Sequence, residues 1–170
     1  MSISWSVHLR CDAASVPLAR RLLQRTMETA GVDPEVCYEV SVALSEACAN
    51  AVEHGGAPHP GGAPGAYRVS AYLDGEMCRI EVADSGPGFP VAHRRGPRPV
   101  PAGHPVAAVS GSAGSAGSAG DDAEHGRGLL LIRELADDVH FTNRPGRGGA
   151  VVSFDKALKW RADAAPLAIA

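Results

Sequence analysis

Three short segments of the chain combine acidic, amide and glycine residues in patterns that suit phosphate chemistry. The first is SEACANAVEHG, in which Glu46, Asn50 and His54 are four residues apart and form one polar stripe on a helix. Glu46 could accept a proton from an attacking hydroxyl, and the amide oxygen of Asn50 is a ligand that Mg²⁺ accepts beside phosphate oxygens. A solvated helix face shows the same pattern, so this segment alone leaves both interpretations open.

The second segment is DSGPGF, which follows a predicted strand and begins at Asp84. A carboxylate at that position could accept a hydrogen bond from the amino group of adenine. Gly86 and Gly88 would let the base approach the backbone closely, because glycine carries no side chain. A plain turn led by an aspartate is the alternative interpretation.

The third segment is Gly126-Arg127-Gly128, which precedes two leucines. We expect it to open a helix, where free N–H groups and the helix dipole favour phosphate. A glycine-rich helix start that binds nothing is the alternative interpretation.

The common phosphate-binding loops are excluded by the positions of the two lysines, Lys156 and Lys159. A Walker A loop needs a lysine directly after its glycines, and a eukaryotic-type kinase needs one on an early strand. A dinucleotide fingerprint would need a third glycine where Leu131 stands.

The elements that position these segments follow from hydrophobic spacing. Residues 3–9 alternate as a strand, and a helix is predicted from Ser15 as N-cap to Gly31, with Leu18, Leu22 and Met27 on its buried face. Asp33 and Pro34 begin a second helix. The apolar stripe of this second helix consists of Val36, Val40, Ala43, Leu44, Ala47 and Ala51.

Strands are predicted at 67–73 and 78–82, joined by a two-residue Asp74-Gly75 hairpin turn with positive φ. A short helix at 129–135 and strands at 139–142 and 150–154 complete the chain. Hairpin-connected strands with grouped helices predict an α+β fold, a two-layer sandwich of a mixed or antiparallel sheet with helices on one face.

The domain organisation is one body over residues 1–156 and a C-terminal tail at 157–170. Residues 90–125 contain no leucine, isoleucine or aromatic residue and include SGSAGSAGSAG, so we expect a flexible low-complexity segment. His93, His104 and the neighbouring arginines fall in it, and neither His54 nor His59 has partners at metal-ligand spacing.

Composition narrows the class of protein. A net charge of −3 and the absence of a basic cluster argue against direct nucleic-acid binding. No segment is long and apolar enough for a membrane span, and the N-terminus lacks the pattern of a signal peptide. Four cysteines without C-x-x-C pairing indicate reduced, buried thiols. We therefore expect a cytoplasmic protein.

The three segments in this order resemble the N, G1 and G2 boxes of the ATPase fold shared by gyrase, histidine kinases and heat-shock chaperones. The string EVSVALSEACANAVEHG is most similar to the bacterial anti-sigma-factor serine/threonine kinases. The resemblance spans roughly residues 5–156 and is interrupted by 90–125, which would be the ATP lid.

The resemblance implies roles for particular residues and for two cofactors, ATP and Mg²⁺. Asn50 would bind Mg²⁺, Glu46 would be the catalytic base and Asp84 would select adenine. The glycines and one arginine would line the nucleotide site: Gly86, Gly88, Gly126, Arg127 and Gly128. Ala150 stands where many relatives have threonine, so one hydroxyl contact to the adenine site would be missing.

The implied function is phosphorylation of a serine or threonine on an anti-sigma-factor antagonist protein, together with sequestration of a sigma factor. The implied partners are that sigma factor and that antagonist, and relatives often act as homodimers. Two other functions stay open: a non-catalytic, ATP-gated partner-binding module, and a stand-alone histidine-kinase-like ATPase.

Overall fold

The fold is seen in a computed structural model, which describes residues 2–55, 65–86, 121–144 and 148–163. The described chain contains five strands and three helices, and all of them except α3 form close to where hydrophobic spacing predicts them. The elements are β1 (Ile3–Arg10), α1 (Ser15–Ala30), α2 (Pro34–His54), β2 (Ala66–Leu73), β3 (Met77–Ala83), α3 (Asp121–Leu135), β4 (Asp138–Asn143) and β5 (Ala150–Ala157).

The sheet has five strands in the order β1-β2-β3-β5-β4, and every neighbouring pair is antiparallel. The register aligns apolar residues across it: Val7 pairs with Val69, Val69 with Val82, and Val82 with Val152. Because side chains alternate between the two faces of a strand, this register puts one apolar face on the core. The predicted α+β architecture is confirmed, with an antiparallel sheet.

All three helices cover that apolar face. Buried strand residues such as Ile80 and Phe154 join buried helix residues such as Leu23, Leu44 and Ile132 in one core. The other face of the sheet is polar and carries cross-strand pairs. In one of them Arg79 donates two hydrogen bonds of 2.7 Å to the carboxylate of Asp155. The domain is therefore a two-layer sandwich.

Helix α1 is rotated relative to the predicted orientation. Leu18 and Leu22 were predicted on its buried face, but they are 52% and 40% exposed. The buried face instead carries Ala19, Leu23 and Met27. The prediction was wrong because the leucines at 18, 22 and 23 are compatible with two adjacent stripes, and the small Ala19 allows the closer packing.

The start of α1 also differs from the predicted cap. Ser15 is the first helical residue, and its hydroxyl is buried at 2.6 Å from both the Asp12 carbonyl oxygen and the Tyr67 hydroxyl. The Asp12 side chain accepts the N–H of Ala14, so Asp12 stabilises the turn that begins the helix. Gly31 ends α1 with a φ of 89°, as the sequence predicts.

Helix α2 forms as predicted. The Asp33 side chain accepts the N–H of Glu35, Pro34 occupies the first turn, and the six residues of the predicted stripe are buried. Burial of that stripe leaves the polar stripe of Glu46 and Asn50 directed away from the sheet core.

The turn between β2 and β3 is not the predicted Asp74-Gly75 turn. The Asp74 N–H donates to the Met77 carbonyl oxygen, so Gly75 and Glu76 occupy the central positions. Gly75 has no positive φ there. The Asp74 carboxylate accepts the N–H groups of Glu76 and Met77, which lowers its pKa and favours this alternative turn.

The chain after β5 continues to contact the body. The Asp33 N–H donates to the Lys159 carbonyl oxygen, and the Arg161 N–H donates to the Gly31 carbonyl oxygen. The Trp160 indole donates to the Gly75 carbonyl oxygen over 3.1 Å. The segment from Leu158 to Arg161, assigned from sequence to the tail, therefore packs against two turns of the domain.

Lys156 connects three elements at one end of the helical layer. Its Nζ lies 2.7 Å from the Glu39 carboxylate on α2 and 2.7 Å from the Leu135 carbonyl oxygen at the end of α3. Replacing Lys156 with methionine is expected to lower the free energy of unfolding by about 2 kcal/mol, because two charge-assisted contacts are lost. Urea unfolding measures this change. Lys159→Met at an exposed position is the control, and equal midpoints for both variants would contradict the role of Lys156.

Within the described ranges, no helix has the length and apolar character required to cross a membrane.

Candidate functional site

The polar stripe of α2 faces the beginning of the glycine-containing part of α3. A Cβ added to Gly128 would lie 2.8 Å from Oε2 of Glu46 and 3.7 Å from Oδ1 of Asn50. Glu46 and Asn50 are both partly exposed, whereas Gly128 is buried. The structure therefore brings together three predicted site residues from two segments that are about eighty positions apart in sequence.

Asn50 has a buried amide nitrogen, Nδ2, with no hydrogen-bond partner within the described residues. Leaving a buried donor unpaired costs roughly 1–3 kcal/mol, so such atoms usually mark a place where a ligand or water completes the bonding. A phosphate oxygen is an acceptor that would satisfy this N–H while the amide oxygen faces a cation.

Asp84 directly follows β3 and is only 7% exposed. Its Oδ1 accepts the N–H of Gly86 over 2.9 Å and the N–H of Ala150 over 3.0 Å. Two backbone donors on one oxygen fix the carboxylate, and Oδ2 has no hydrogen bond within the described part of the chain. The second oxygen is therefore available to accept a hydrogen bond from a ligand.

Glycines surround Asp84 closely. A Cβ on Gly55 would lie 2.7 Å from the Cβ of Asp84, and a Cβ on Gly149 would lie 2.3 Å from the Asp84 carbonyl oxygen. Gly149 also has a φ of 114°, which side-chain-bearing residues rarely adopt. A Cβ on Gly86 would lie only 2.0 Å from the His54 carbonyl oxygen. The backbone at Gly55 and Gly149 can thus pack against Asp84, and the backbone at Gly86 against the end of α2, because none of these residues carries a side chain.

A Gly86→Ala substitution is expected to weaken ATP binding about tenfold, because the new methyl group collides with backbone and must displace the turn that holds Asp84. Isothermal titration with Mg-ATP measures the change. Gly75→Ala is the matched control, since no atom lies within 4 Å of a Cβ at that position. Equal affinities for the two variants would show that the turn after β3 is not part of the site.

Helix α3 starts earlier than predicted. It begins at Asp121, five residues before Gly126, so Gly126 and Gly128 lie inside the helix and not at its first N–H groups. The expectation that these two glycines present free N–H groups at a helix start was therefore wrong for this conformation.

The remaining predicted site residues have simpler outcomes. Arg127 is exposed on α3 next to Gly128. His54 is in the last turn of α2, where its Nε2 lies 3.6 Å from the Glu53 carboxylate. Gly88, His59 and most of the predicted lid, residues 90–120, lie outside the described residues.

Sequence reasoning missed Gly55 and Cys11 as parts of the site. Gly55 follows α2 directly and allows Asp84 to pack against the end of that helix. The Cys11 thiol donates to the Ala51 carbonyl oxygen over 3.6 Å, and burial together with the nearby Asp84 carboxylate raises its pKa. The pair of glycines before Ala150 was the sequence feature that could have identified Gly149 as part of the site. No pattern in the sequence pointed to Cys11.

The two parts of the site are arranged along α2. Asp84 packs at the carboxyl end of the helix beside Gly55, and Glu46 lies nine residues earlier, about 13 Å away at 1.5 Å per residue. Asn50 lies between them. This order places a hydrogen-bond acceptor, an amide and a carboxylate in a row along α2, as an elongated ligand with a base at one end and phosphates at the other would require.

The donor set fits a magnesium ion only in the presence of phosphate. Among the described residues, no three His, Cys, Asp or Glu side chains are grouped as a metal site. Mg²⁺ is commonly held by one or two protein oxygens plus substrate phosphates and water. Asn50 is the residue that would hold it, and the ion would supply positive charge beside the phosphates.

The fold is a two-layer α+β sandwich in which the candidate site residues lie along α2 and at the end of β3. Residues 9–156 match the family model described as Histidine kinase-like ATPase domain. The chain belongs to this family, which binds ATP.

The fold is also seen in a solved structure. The crystal structure of the RsbU and RsbW domains of Rv1364c from Mycobacterium tuberculosis is 19% identical with a TM-score of 0.61, and the match covers 94% of this chain and 34% of that chain. The present chain thus spans about a third of that protein's length. The mycobacterial sensor histidine kinase MprB matches with 14% identity and a TM-score of 0.45 over 92% of this chain and 100% of that chain. No curated protein matches the chain.

Proposed function

We propose that this domain is an anti-sigma-factor-type regulator that uses Mg-ATP to phosphorylate a serine or threonine on an antagonist protein. The observation that carries the proposal is the meeting of Glu46 and Asn50 at Gly128. A carboxylate and an unpaired amide one helical turn apart on α2 are groups that phosphoryl transfer can use, since that reaction depends on positioning and charge neutralisation.

Each residue would act on a defined atom. Asp84 Oδ2 would accept a hydrogen bond from the adenine amino group, while Gly86 lines the base. Glu46 would accept the proton of the attacking serine or threonine hydroxyl, while the oxygen of that hydroxyl forms a bond to the γ-phosphorus. The bond from that phosphorus to the bridging oxygen breaks, and ADP leaves. Mg²⁺ beside Asn50 would neutralise charge on the phosphates.

The glycines of α3 support a role at the phosphates. Glycine inside a helix costs roughly 1 kcal/mol relative to alanine, and α3 carries Gly126 and Gly128 within its first eight residues. Unwinding this end would release N–H groups that can bind phosphate. We include Arg127 as a phosphate contact, Gly88 as part of the base pocket, and residues 90–125 as the lid of a domain spanning 1–156.

The charge of the transferred phosphate would control which partner the domain binds. A phosphate on the antagonist would break its contact with this domain through repulsion and desolvation, and the released domain would sequester a sigma factor. The similarity in fold to a structure that includes an RsbW domain supports this assignment. We place the protein in the bacterial cytoplasm.

The test is incubation of the protein with γ-labelled ATP, Mg²⁺ and each candidate antagonist, followed by identification of the labelled residue. Label on a serine or threonine is the expected result. Absence of transfer to every candidate across a range of Mg²⁺ concentrations, from a protein that binds ATP by calorimetry, would overturn the kinase proposal.

The second candidate function is a non-catalytic module whose partner binding is controlled by ATP. The observation that favours it is Ala150, which contributes a backbone N–H to Asp84 but no hydroxyl to the site. A pull-down with and without ATP tests this function. Partner release that needs ATP but leaves no phosphate on any partner is its expected result.

A further inference from the structure

The outward side of α2 carries an exposed aromatic residue on the line that leads to Glu46. Tyr38, Val42 and Glu46 are four residues apart, so they follow one another along one side of the helix. Tyr38 and Val42 lie opposite the buried stripe of α2. Tyr38 is 61% exposed, the largest fraction among the large apolar side chains of the described residues. An apolar surface therefore begins within two helical turns of the candidate base.

This apolar surface continues along the outward side of α2. Helix α2 is the middle helix of the layer, since it packs against both α1, which lies over β1, and α3, which lies over β4. Val42, Ser45 and Ala49 are on its outward side and are nevertheless only partly exposed. The Ser45 hydroxyl donates to the Ser41 carbonyl oxygen over 2.8 Å, so its proton is already used. The result is a mainly apolar outer strip that consists of Tyr38, Val42, Ser45 and Ala49.

The charge of α2 restricts the chemistry of a partner for the outer strip. The helix carries four glutamates and no lysine or arginine. Glu35 is exposed, lies three residues before Tyr38 on the same side and forms no ion pair within the described part of the chain. Glu39, by contrast, is paired with Lys156. A partner that covers Tyr38 is therefore complementary to this surface if it brings a positive charge to Glu35.

We propose that the outer strip of α2 docks the protein substrate of the kinase, which contacts Tyr38 and Val42 with an apolar side chain and Glu35 with a lysine or arginine. This inference rests on the proposed function and adds the docking surface and the chemistry of the substrate. Continuity with Glu46 is the reason for assigning the strip to the substrate. A protein bound to Tyr38 and Val42 has its neighbouring residues at the carboxylate that would take the hydroxyl proton.

The distance between Tyr38 and Glu46 sets the spacing of the two contacts in the substrate. The two residues are eight positions apart, which is about 12 Å along α2 at 1.5 Å per residue. An extended segment spans this distance with roughly four residues, at about 3.3 Å each. The apolar docking side chain would therefore lie about four residues from the phosphorylated serine or threonine. A tyrosine suits such a contact, because it buries a large area and has few rotatable bonds.

The test measures binding and transfer separately for each candidate antagonist. Calorimetry with the non-hydrolysable analogue AMP-PNP gives the dissociation constant, and γ-labelled ATP gives kcat and KM. Tyr38→Ser and Glu35→Lys should each raise the dissociation constant and the KM for the antagonist at least about tenfold, because each removes one docking contact. The kcat at saturating antagonist and the affinity for Mg-ATP should keep their wild-type values, since neither residue belongs to the nucleotide site.

Tyr72→Ser and Glu76→Lys are the matched controls. Tyr72 is also an exposed tyrosine, but it lies on the open face of the sheet, and Glu76 is exposed in the turn between β2 and β3. Both variants should bind and phosphorylate the antagonist as the wild type does. Circular dichroism checks that all four variants keep the fold.

The outcomes separate the docking surface from the kinase activity. Weaker antagonist binding by both outer-strip variants, with no label on any antagonist, would support docking and overturn the kinase. Label transfer with the same KM in all variants would support the kinase and overturn docking. Docking would also be overturned if the two variants weakened only the binding of a sigma factor, if they lowered only kcat, or if no candidate antagonist bound the wild type.

Discussion

An Asp84→Asn variant is expected to keep its fold and to lose at least about 100-fold in affinity for ATP. The side-chain oxygen of asparagine can still accept the N–H groups of Gly86 and Ala150, which now bond to Oδ1 of Asp84. The second carboxylate oxygen, however, becomes an NH₂ group. The NH₂ group of the asparagine and the amino group of adenine, both donors, would then face each other. A buried donor without an acceptor costs roughly 1–3 kcal/mol in addition to the lost hydrogen bond.

Isothermal titration with Mg-ATP measures this loss, and circular dichroism checks the fold. Asp74→Asn is the matched control, because Asp74 also accepts two backbone N–H groups through one oxygen but lies in the turn between β2 and β3. It should bind ATP as the wild type does. Unchanged affinity in Asp84→Asn would remove this carboxylate from the site.

A Glu46→Gln variant is expected to bind ATP normally and to transfer phosphate about 100 to 1000 times more slowly. Glutamine has nearly the same shape, so its contact with Gly128 is kept, but it cannot accept the proton of the attacking hydroxyl. The effect should therefore appear in the rate of the chemical step and not in ATP affinity. Single-turnover transfer of labelled phosphate measures the rate.

The same variant separates the two proposed functions. A kinase that carries Glu46→Gln should fail to release its partner, whereas an ATP-gated module with the same substitution should release it unchanged. Glu53→Gln, a neighbouring substitution near the end of α2, is the control and should leave transfer intact. A Glu46→Gln protein that transfers phosphate at the wild-type rate would exclude Glu46 as the base.

Periodicity predicted the elements because it reflects burial directly. The apolar stripe from Val36 to Ala51 is compatible with only one buried face of a helix, and Asp33 with Pro34 marks where that helix begins. The alternating residues of β1 to β3 likewise have one buried face. The order of elements then limits the topology to a sheet with helices on one side.

Hydrophobic periodicity gave wrong predictions where the sequence is compatible with two local arrangements. Leu18, Leu22 and Leu23 fit either of two stripes on α1, and the structure buries the stripe that contains the small Ala19. The turn after β2 depends on the Asp74 carboxylate, which accepts two N–H groups in the conformation that forms. Both choices are made by contacts that spacing does not encode.

The sequence proposes the residues of the candidate site but not their geometry. Residue types identified Glu46, Asn50 and Asp84 as candidates, and the structure shows Gly128 packed against the first two. The approach of Gly55 and Gly149 to Asp84 is a long-range contact between segments that share no pattern. The start of α3 was also mispredicted, since the two glycines indicated a boundary at Gly126 and the helix begins at Asp121.

The two ends of α3 differ in how firmly they are held, because Lys156 contacts only the carboxyl end. The carboxyl end of the helix is anchored, because the Lys156 ammonium group contacts both the Leu135 carbonyl oxygen and the Glu39 carboxylate. Ile132 is also fully buried near that end. The amino-terminal half holds both glycines, whose backbone gains the most freedom when a helix unwinds. We therefore expect any unwinding of this helix to begin at its amino-terminal end and to leave the last turn, which Lys156 holds, in place.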